Sequence, residues 1–275
     1  LKKLSDTSEI LERWLQVQAL WMYLEAVFVG GDISRQLPQE AKRFANIDKS
    51  WVKVMYKTRD NPNVIEVCTG DEVVSSSLLF LVEQLELCQK SLTVYLESKR
   101  LIFPRFFFIS DPVLLEILGQ ASDPNSIQPH LLSIFDGVAS VDFDDKKGDT
   151  VMAMSSSNGE KIPVITPVKC VGLVEIWIGK LLESVLDTIR NMMGSLGQQI
   201  SDPKFDYRNY LASQCGQAQL ICVQLVWTLS AEYALSTCKN DRRIMARKNL
   251  EFQEMLNYLV DQTVKDLTKL ERISA

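Results

Sequence analysis

The sequence predicts a mainly α-helical protein built from successive antiparallel helical bundles, with one small β-hairpin insertion. Three observations carry that expectation. Apolar residues recur at three- and four-residue steps through most of the 275 positions, the spacing that places them on one face of a helix. Breaks at Gly30-Gly31, Asn61-Pro62 and Asp202-Pro203 punctuate these periods, so the helices are separate elements. Alternation of the kind that marks a half-buried strand is confined to one stretch, Val138 to Pro167. The expected division is residues 1–137 as a first bundle, 138–170 as the insertion and 171–275 as a second bundle.

The first helix is expected from Asp6, because Asp6-Thr7-Ser8-Glu9 fits a capping box. Trp14, Val17, Trp21, Leu24 and Phe28 form its apolar stripe, and Gly30-Gly31 stops it. Pro38 opens a second helix with Phe44, Ile47, Trp51 and Met55 inward, and Asn61-Pro62 ends it. The third is the longest, running from roughly Asp71 to Arg100. Its residues Leu78, Leu81, Leu85, Cys88, Leu92 and Tyr95 suit packing within an antiparallel bundle, although the same period fits a coiled coil.

Pro104 disfavours helix at Phe103 and should end the third helix a few residues earlier. Phe103, Pro104, Arg105, Phe106, Phe107 and Phe108 follow as one run. So many phenylalanines are expected to form a buried corner, since each ring carries a large apolar area. Asp111 is expected to cap the next helix, with Pro112 at its first position. Two short helices are expected near residues 112–121 and 126–135, the second closed by Gly137.

In the insertion, Val138 to Phe143 alternates, Lys147-Gly148-Asp149 turns and Val151 to Met154 runs extended. Asn158-Gly159 is a two-residue hairpin signal ahead of Ile162-Pro163-Val164-Ile165. Val141, Phe143, Met152 and Met154 are expected to supply the buried face. Pro163 and Pro167 cannot donate to a ladder, which places the last strand at an edge. An edge strand needs cover or a partner. Either the hairpin only covers its own bundle, or it docks through Asp145, Lys146 and Lys147 in one turn and Asn158, Gly159 and Glu160 in the other, the candidate docking residues.

From Val171 the helical period returns, with Leu173, Trp177, Leu181, Val185 and Ile189 on one face, and Gly194 and Gly197 are expected to break it. Asp202-Pro203 marks the next start. A helix from about Ala212 to Ser236 is apolar on two sides through Leu220, Cys222, Val223, Leu225, Val226 and Trp227. It is expected to be central to the second bundle. The last helix should begin at Asn240 or Asp241, with Phe252, Met255, Leu256, Leu259 and Leu267 inward.

Composition narrows the chemistry. Hydrophobic residues make up 46% of the chain, enough for a sizeable core. A formal net charge of −5 leaves no basic footprint for nucleic acid or an anionic membrane surface. No signal peptide, transit sequence or membrane-spanning run stands out, and the six cysteines lack C-x-x-C spacing. They read as free thiols in a reducing, cytoplasmic compartment. The chain opens at Leu1 within a helical run, which reads as a segment of a longer polypeptide.

No G-x-x-x-x-G-K-S/T phosphate loop occurs, and Gly194-Ser195-Leu196-Gly197 lacks the lysine that would reach phosphates. His130 is the single histidine, so a triad or zinc site would rest on it alone. Asp142, Asp144, Asp145 and Asp149 have the composition of a calcium loop. Lys146, Lys147 and Ala153 stand where its ligands and glycine belong. Lys239, Arg242, Arg243, Arg247 and Lys248 read as a solvated helix face. No catalytic, cofactor-binding or metal-ligating residue is expected, and no cofactor.

The stretch from Tyr95 to Gln120, with its Phe-Pro-Arg-Phe-Phe-Phe core, resembles the linker region of dynein heavy chains. Trp21-Met22-Tyr23-Leu24-Glu25, Phe44-Ala45-Asn46-Ile47-Asp48, Ser156-Ser157-Asn158-Gly159-Glu160, Val174-Glu175-Ile176-Trp177 and Trp227-Thr228 keep the same family's order. Gln89-Lys90 and Gln128-Pro129-His130-Leu131 look axonemal. Ile109-Ser110-Asp111-Pro112 with Gly119-Gln120-Ala121-Ser122-Asp123 looks most like outer-arm heavy chains. The resemblance implies an arched helical rod lying across a ring of AAA+ modules, bending and straightening as ATP turns over elsewhere in the chain. It implies as partners the AAA+ ring of the same heavy chain, the rest of the dynein arm and axonemal microtubule doublets. It also implies a ciliary or flagellar location, with no nucleic acid, no membrane and no enzyme activity in the segment. The residues alone leave open a non-motor helical scaffold or adaptor that binds partner proteins.

Overall fold

The computed structural model describes residues 2–29, 31–69, 72–144, 148–202 and 204–264. Among them are eleven α-helices, two 3-10 helices and one three-stranded antiparallel sheet. The mainly helical expectation with a small β insertion holds. The chain divides into two compact units, residues 1–134 with 172–176, and residues 135–171 with 177–275.

The first unit holds α1 (Lys2–Phe28), α2 (Ile33–Gln36), α3 (Pro38–Asp60), α4 (Val64–Thr69), α5 (Glu72–Ile102), α6 (Asp111–Gly119) and α7 (Leu131–Ile134). Its axis is α5, which packs against α1, α3 and α4 and buries Leu78, Leu81, Leu85, Cys88, Leu92 and Leu96 in one stripe. The helices α1 and α3 meet through Trp14 on Trp51 at 5.1 Å and Phe28 on Phe44 at 5.8 Å. These are aromatic pairs of the kind that add stability beyond their area.

Several boundaries differ from expectation. Helix α1 starts at Lys2, so the capping-box residues lie inside it, and the Thr7 hydroxyl donates to the Lys3 carbonyl at 2.7 Å. A back-bond of that kind satisfies the hydroxyl within an ongoing helix. Met55 is exposed rather than buried, and the single-turn α4 fills the gap before α5. Ser110 is the N-cap of α6, with Asp111 in the first turn. The helix expected near 126–135 is a 3-10 helix, Pro124–His130, followed by α7. Asp123 opens it by accepting from the Asn125 N–H at 2.9 Å.

The second unit holds β1 (Ser140–Phe143), β2 (Thr150–Ser155), β3 (Lys161–Lys169), most of α8 (Val174–Ile200), α9 (Tyr207–Ser213), α10 (Gly216–Thr237) and α11 (Ile244–Val264). The sheet order is β1-β2-β3, which leaves the proline-bearing β3 at an edge. Met152 is exposed where burial was expected. The pairing passes from Val151 to Ala153 on both neighbours, so Met152 is the skipped residue of a bulge. Val141 and Met154 are buried as expected, Phe143 is only half-buried, and Val151 and Ala153 are buried as well.

Helix α8 runs through Gly194 and Gly197 to Ile200. Each interior glycine costs about 1 kcal/mol of helix propensity, which the fully buried Leu196 between them helps to offset. Its buried face in this unit is Trp177, Ile178, Leu181, Ser184 and Thr188, while Leu173 is exposed. Two polar residues take core positions because the irregular middle of β3 needs them. Thr188 Oγ1 accepts from the Ile165 N–H at 3.1 Å, and the Ser184 hydroxyl donates to the Thr166 carbonyl at 2.7 Å. Pro203 lies outside the described residues, and the next helix begins at Tyr207, capped by Asp206 accepting from the Arg208 N–H.

Helix α10 is not the central element expected. Ala218, Cys222 and Ala234 are its buried residues, and Leu220, Trp227, Leu229, Tyr233 and Leu235 are exposed. In α11, Met255 is buried and Leu256 exposed; Leu267 lies outside the described residues.

Candidate functional site

The aromatic corner is built at the end of α5. Phe103 and Phe106 are buried, in edge-to-face contact at 4.9 Å. Phe107 and Phe108 are not: they are 60% and 80% exposed. The reason is local, because Pro104–Phe108 is a 3-10 helix. With three residues per turn, positions 103 and 106 share a face and the next two turn away. Arg100 holds the bend. Its Nε donates to the Phe106 carbonyl at 3.3 Å, and its Nη2 donates to the Ile109 carbonyl at 3.0 Å and to Asp111 Oδ1 at 2.7 Å. Arg105 Nη1 donates to the Ile134 carbonyl at 3.2 Å, tying α7 to the corner.

A buried ion pair lies one turn before that bend. Lys99 Nζ donates to Glu175 Oε1 at 2.5 Å, with side chains 9% and 1% exposed. The Tyr95 ring stands 5.0 Å from the ammonium, and its hydroxyl donates to Gln36 Oε1 at 2.8 Å. Burial, and then the Glu175 charge, push the Tyr95 pKa up. The pair joins α5 to the first turn of α8 across 76 positions. No local spacing announces it, yet a signal exists: Lys99 follows Leu92 and Leu96 on the inward stripe, where a charge demands a buried partner.

Of the candidate docking residues, Asp145, Lys146 and Lys147 lie outside the described residues. Asn158 and Gly159 form a three-residue hairpin loop with Ser157, rather than the expected two-residue one. The Ser156 carbonyl accepts from the Gly159 N–H at 3.0 Å, the Ser156 N–H donates to the Glu160 carbonyl at 2.9 Å, and Gly159 alone has positive φ, 94°. A two-residue type I′ turn would need positive φ at Asn158 as well. Glu160 is engaged internally, its Oε1 accepting from the Gly216 N–H at 2.8 Å. The carboxylate therefore sits at the N-terminus of α10, where the helix dipole favours negative charge.

A groove of about 460 Å³ lies beside the corner, lined by Tyr23, Val27, Gly31, Ile33, Leu115 and Gly119 among others. Between the lining residues Gly31 and Ile33, Asp32 Oδ2 accepts from the Ser122 hydroxyl at 2.6 Å and N–H at 2.9 Å. The Ser122 hydroxyl is the main cause holding the Asp32 pKa down. His130 Nε2 is 3.6 Å from Glu116 Oε2. Among the described residues no three His, Cys, Asp or Glu side chains converge on a metal-sized site. Burial pushes the Cys170 thiol up to about 12 and Cys222 up to about 11, where neither is a ready nucleophile. The helix α10 is long and apolar enough to cross a membrane by length and composition alone.

Taken together the site comprises long helices, a clamped bend and a buried ion pair, with polar side chains holding backbone groups. The class is fixed by sequence. A family profile described as "Dynein heavy chain, N-terminal region 2" matches residues 1–196. The chain belongs to the dynein heavy chain family, as part of the N-terminal region of an axonemal heavy chain. It is 54% identical over 271 residues to Dynein axonemal heavy chain 8 of Mus musculus, covering 98% of this chain and 6% of that relative. It is 50% identical to Dynein axonemal heavy chain 5 of Mus musculus over 270 residues, with the same coverages. It is 41% identical over 272 residues to "Dynein gamma chain, flagellar outer arm" of Chlamydomonas reinhardtii, again covering 98% and 6%. The chain thus spans about 6% of the length of these curated relatives.

Proposed function

We propose that this chain is a segment of the mechanical linker of an axonemal dynein heavy chain, acting in the ciliary or flagellar axoneme. In this reading it lies across the AAA+ ring of its own heavy chain. It transmits the bending and straightening that ATP turnover produces elsewhere in the polypeptide, towards the rest of the dynein arm and the microtubule doublets. The segment supplies stiffness and contact surface, and nucleotide chemistry belongs to other parts of the parent chain.

The observation that carries this reading is the buried Lys99–Glu175 pair next to the Arg100-clamped bend. A strut that transmits force must resist slipping between its helices. A desolvated ion pair resists through the cost of separating its charges in a medium that cannot resolvate them. Family membership favours this reading over a non-motor scaffold or adaptor.

The test uses the full-length parent heavy chain carrying Lys99→Glu, Glu175→Lys or both, with ATP turnover and microtubule gliding measured on the same preparation. Each single variant should keep ATP turnover and lose gliding velocity severalfold, and the charge-swapped double variant should regain part of it. Gliding at the wild-type rate in both single variants would overturn the mechanical reading.

A further inference from the structure

Helix α10 carries an apolar stripe whose two halves are treated differently. Ala218 and Cys222 form a core with Leu196 and Tyr210, and Val226 packs on that core. Leu229 and Tyr233 continue the same face at steps of three and four residues, yet they are 47% and 57% exposed. At 1.5 Å per residue, the stripe runs roughly 10 Å past its cover. Glu232 is the single charged residue among the 22 of α10, far fewer charges than a solvent-facing helix side normally carries. The facing of α11 does not close the gap: Trp227 meets Phe252 at 6.0 Å on the other side of α10. Beyond that contact, α11 shows its own exposed stripe of Leu256, Val260 and Val264.

We propose that the open half of this stripe is a docking surface for an amphipathic helix of the same polypeptide, C-terminal to residue 275. Three observations favour that occupant. The covered half of the stripe is sealed by α8 and α9 of this chain, so the open half continues an intramolecular interface. The curated relatives align along 98% of this chain, which is only 6% of their length, so in them most of the polypeptide lies outside the aligned stretch. Consecutive helices usually pack beside one another, and the α11 stripe points the apolar face onward along the chain. A lipid cover is disfavoured by Gln217, Gln224 and Glu232 spread along the helix, because polar side chains are costly in hydrocarbon. The proposal rests on family membership and not on the mechanical reading, so either can fail alone.

The test places the photo-crosslinker p-benzoylphenylalanine at position 233 of the full-length parent heavy chain, in a mixture of isotope-labelled and unlabelled chains with vesicles present. The expected result is a crosslink within one chain to residues beyond 275. Crosslinks between labelled and unlabelled copies, to lipid or to another polypeptide would each overturn the proposal, as would none at all. As a second reading, Leu229→Glu should raise the hydrogen-exchange rate of peptides covering residues 225–237 at least tenfold in the same full-length chain. Unchanged protection would count against it.

Discussion

The helices α5 and α10 are both long and apolar, and they are opposite in fate. Both are long and rich in leucine and valine. Helix α5 concentrates its apolar residues in one stripe that three neighbours cover along its length, and seven of its described side chains are almost fully buried. Helix α10 spreads them over two sides, α9 and α11 are its principal neighbours, and its largest side chains stay in contact with solvent. The difference teaches that apolar content sets how much cover a helix needs, whereas the neighbours present decide how much it receives.

The comparison is sharpest at Lys99, the one buried charge among the described residues of α5. Glu175→Ala should destabilise the chain by about 3–5 kcal/mol, since it strands a buried ammonium. Replacing both partners with apolar residues should recover most of the loss, as read from urea unfolding of the two single variants and the double. Next in size is the corner. Phe106→Ala should cost about 3–5 kcal/mol, while Phe108→Ala should stay within about 0.5 kcal/mol. Equal midpoints for these two variants would mean that the 3-10 turn does not sort the rings.

Within the helices themselves, Leu85→Ala in α5 should cost about 2–5 kcal/mol and Leu229→Ala in α10 no more than about 0.5 kcal/mol in this chain. A loss at Leu229 as large as at Leu85 would break the comparison outright. Below the loss at Leu85 comes the hydrogen bond at the start of α10: Glu160→Ala should cost about 0.5–1.5 kcal/mol, visible as a shifted thermal midpoint. The smallest effect is electrostatic. Cys222 has its folded pKa raised by burial to about 11, above an unfolded thiol near about 8.5. Its contribution to stability is therefore complete below that unfolded value and is lost as pH rises toward 11. Cys222→Ala should flatten the alkaline fall in stability by up to one proton's worth of slope, measured by unfolding at a series of pH values.

Much of the fold was legible because periodicity reports one-sided burial directly. The stripes of α1, α3 and α5 emerged from spacing, and the prolines of β3 marked its edge. What sequence did not disclose depended on partners far away in the chain. The buried roles of Ser184 and Thr188 follow from an irregular strand 18 to 23 residues earlier. Lys99 waits on a glutamate 76 positions on. The misplaced rings at Phe107 and Phe108 are a different matter: counting aromatic residues ignored the three-residue period that follows a proline-started turn. The two-sided apolar pattern of α10 suggests a central helix, yet only Ala218, Cys222 and Ala234 are buried, because periodicity does not say which neighbours are present.

The first turn of α8 has a consequence for how the chain is made. Glu175 belongs with the first unit, but the ribosome delivers it only after the whole sheet has emerged. The first unit reaches residue 134 and then needs residues 172–176 to finish, a delay of roughly two to eight seconds at about 5–20 residues per second. Throughout that interval Lys99 has no counter-charge and the face it sits on is open. Nascent chains stalled just before residue 175 should therefore bind chaperones more strongly than chains stalled a few residues after it has cleared the exit tunnel. The order of synthesis, as much as the finished contacts, makes this ion pair the step that closes the first unit.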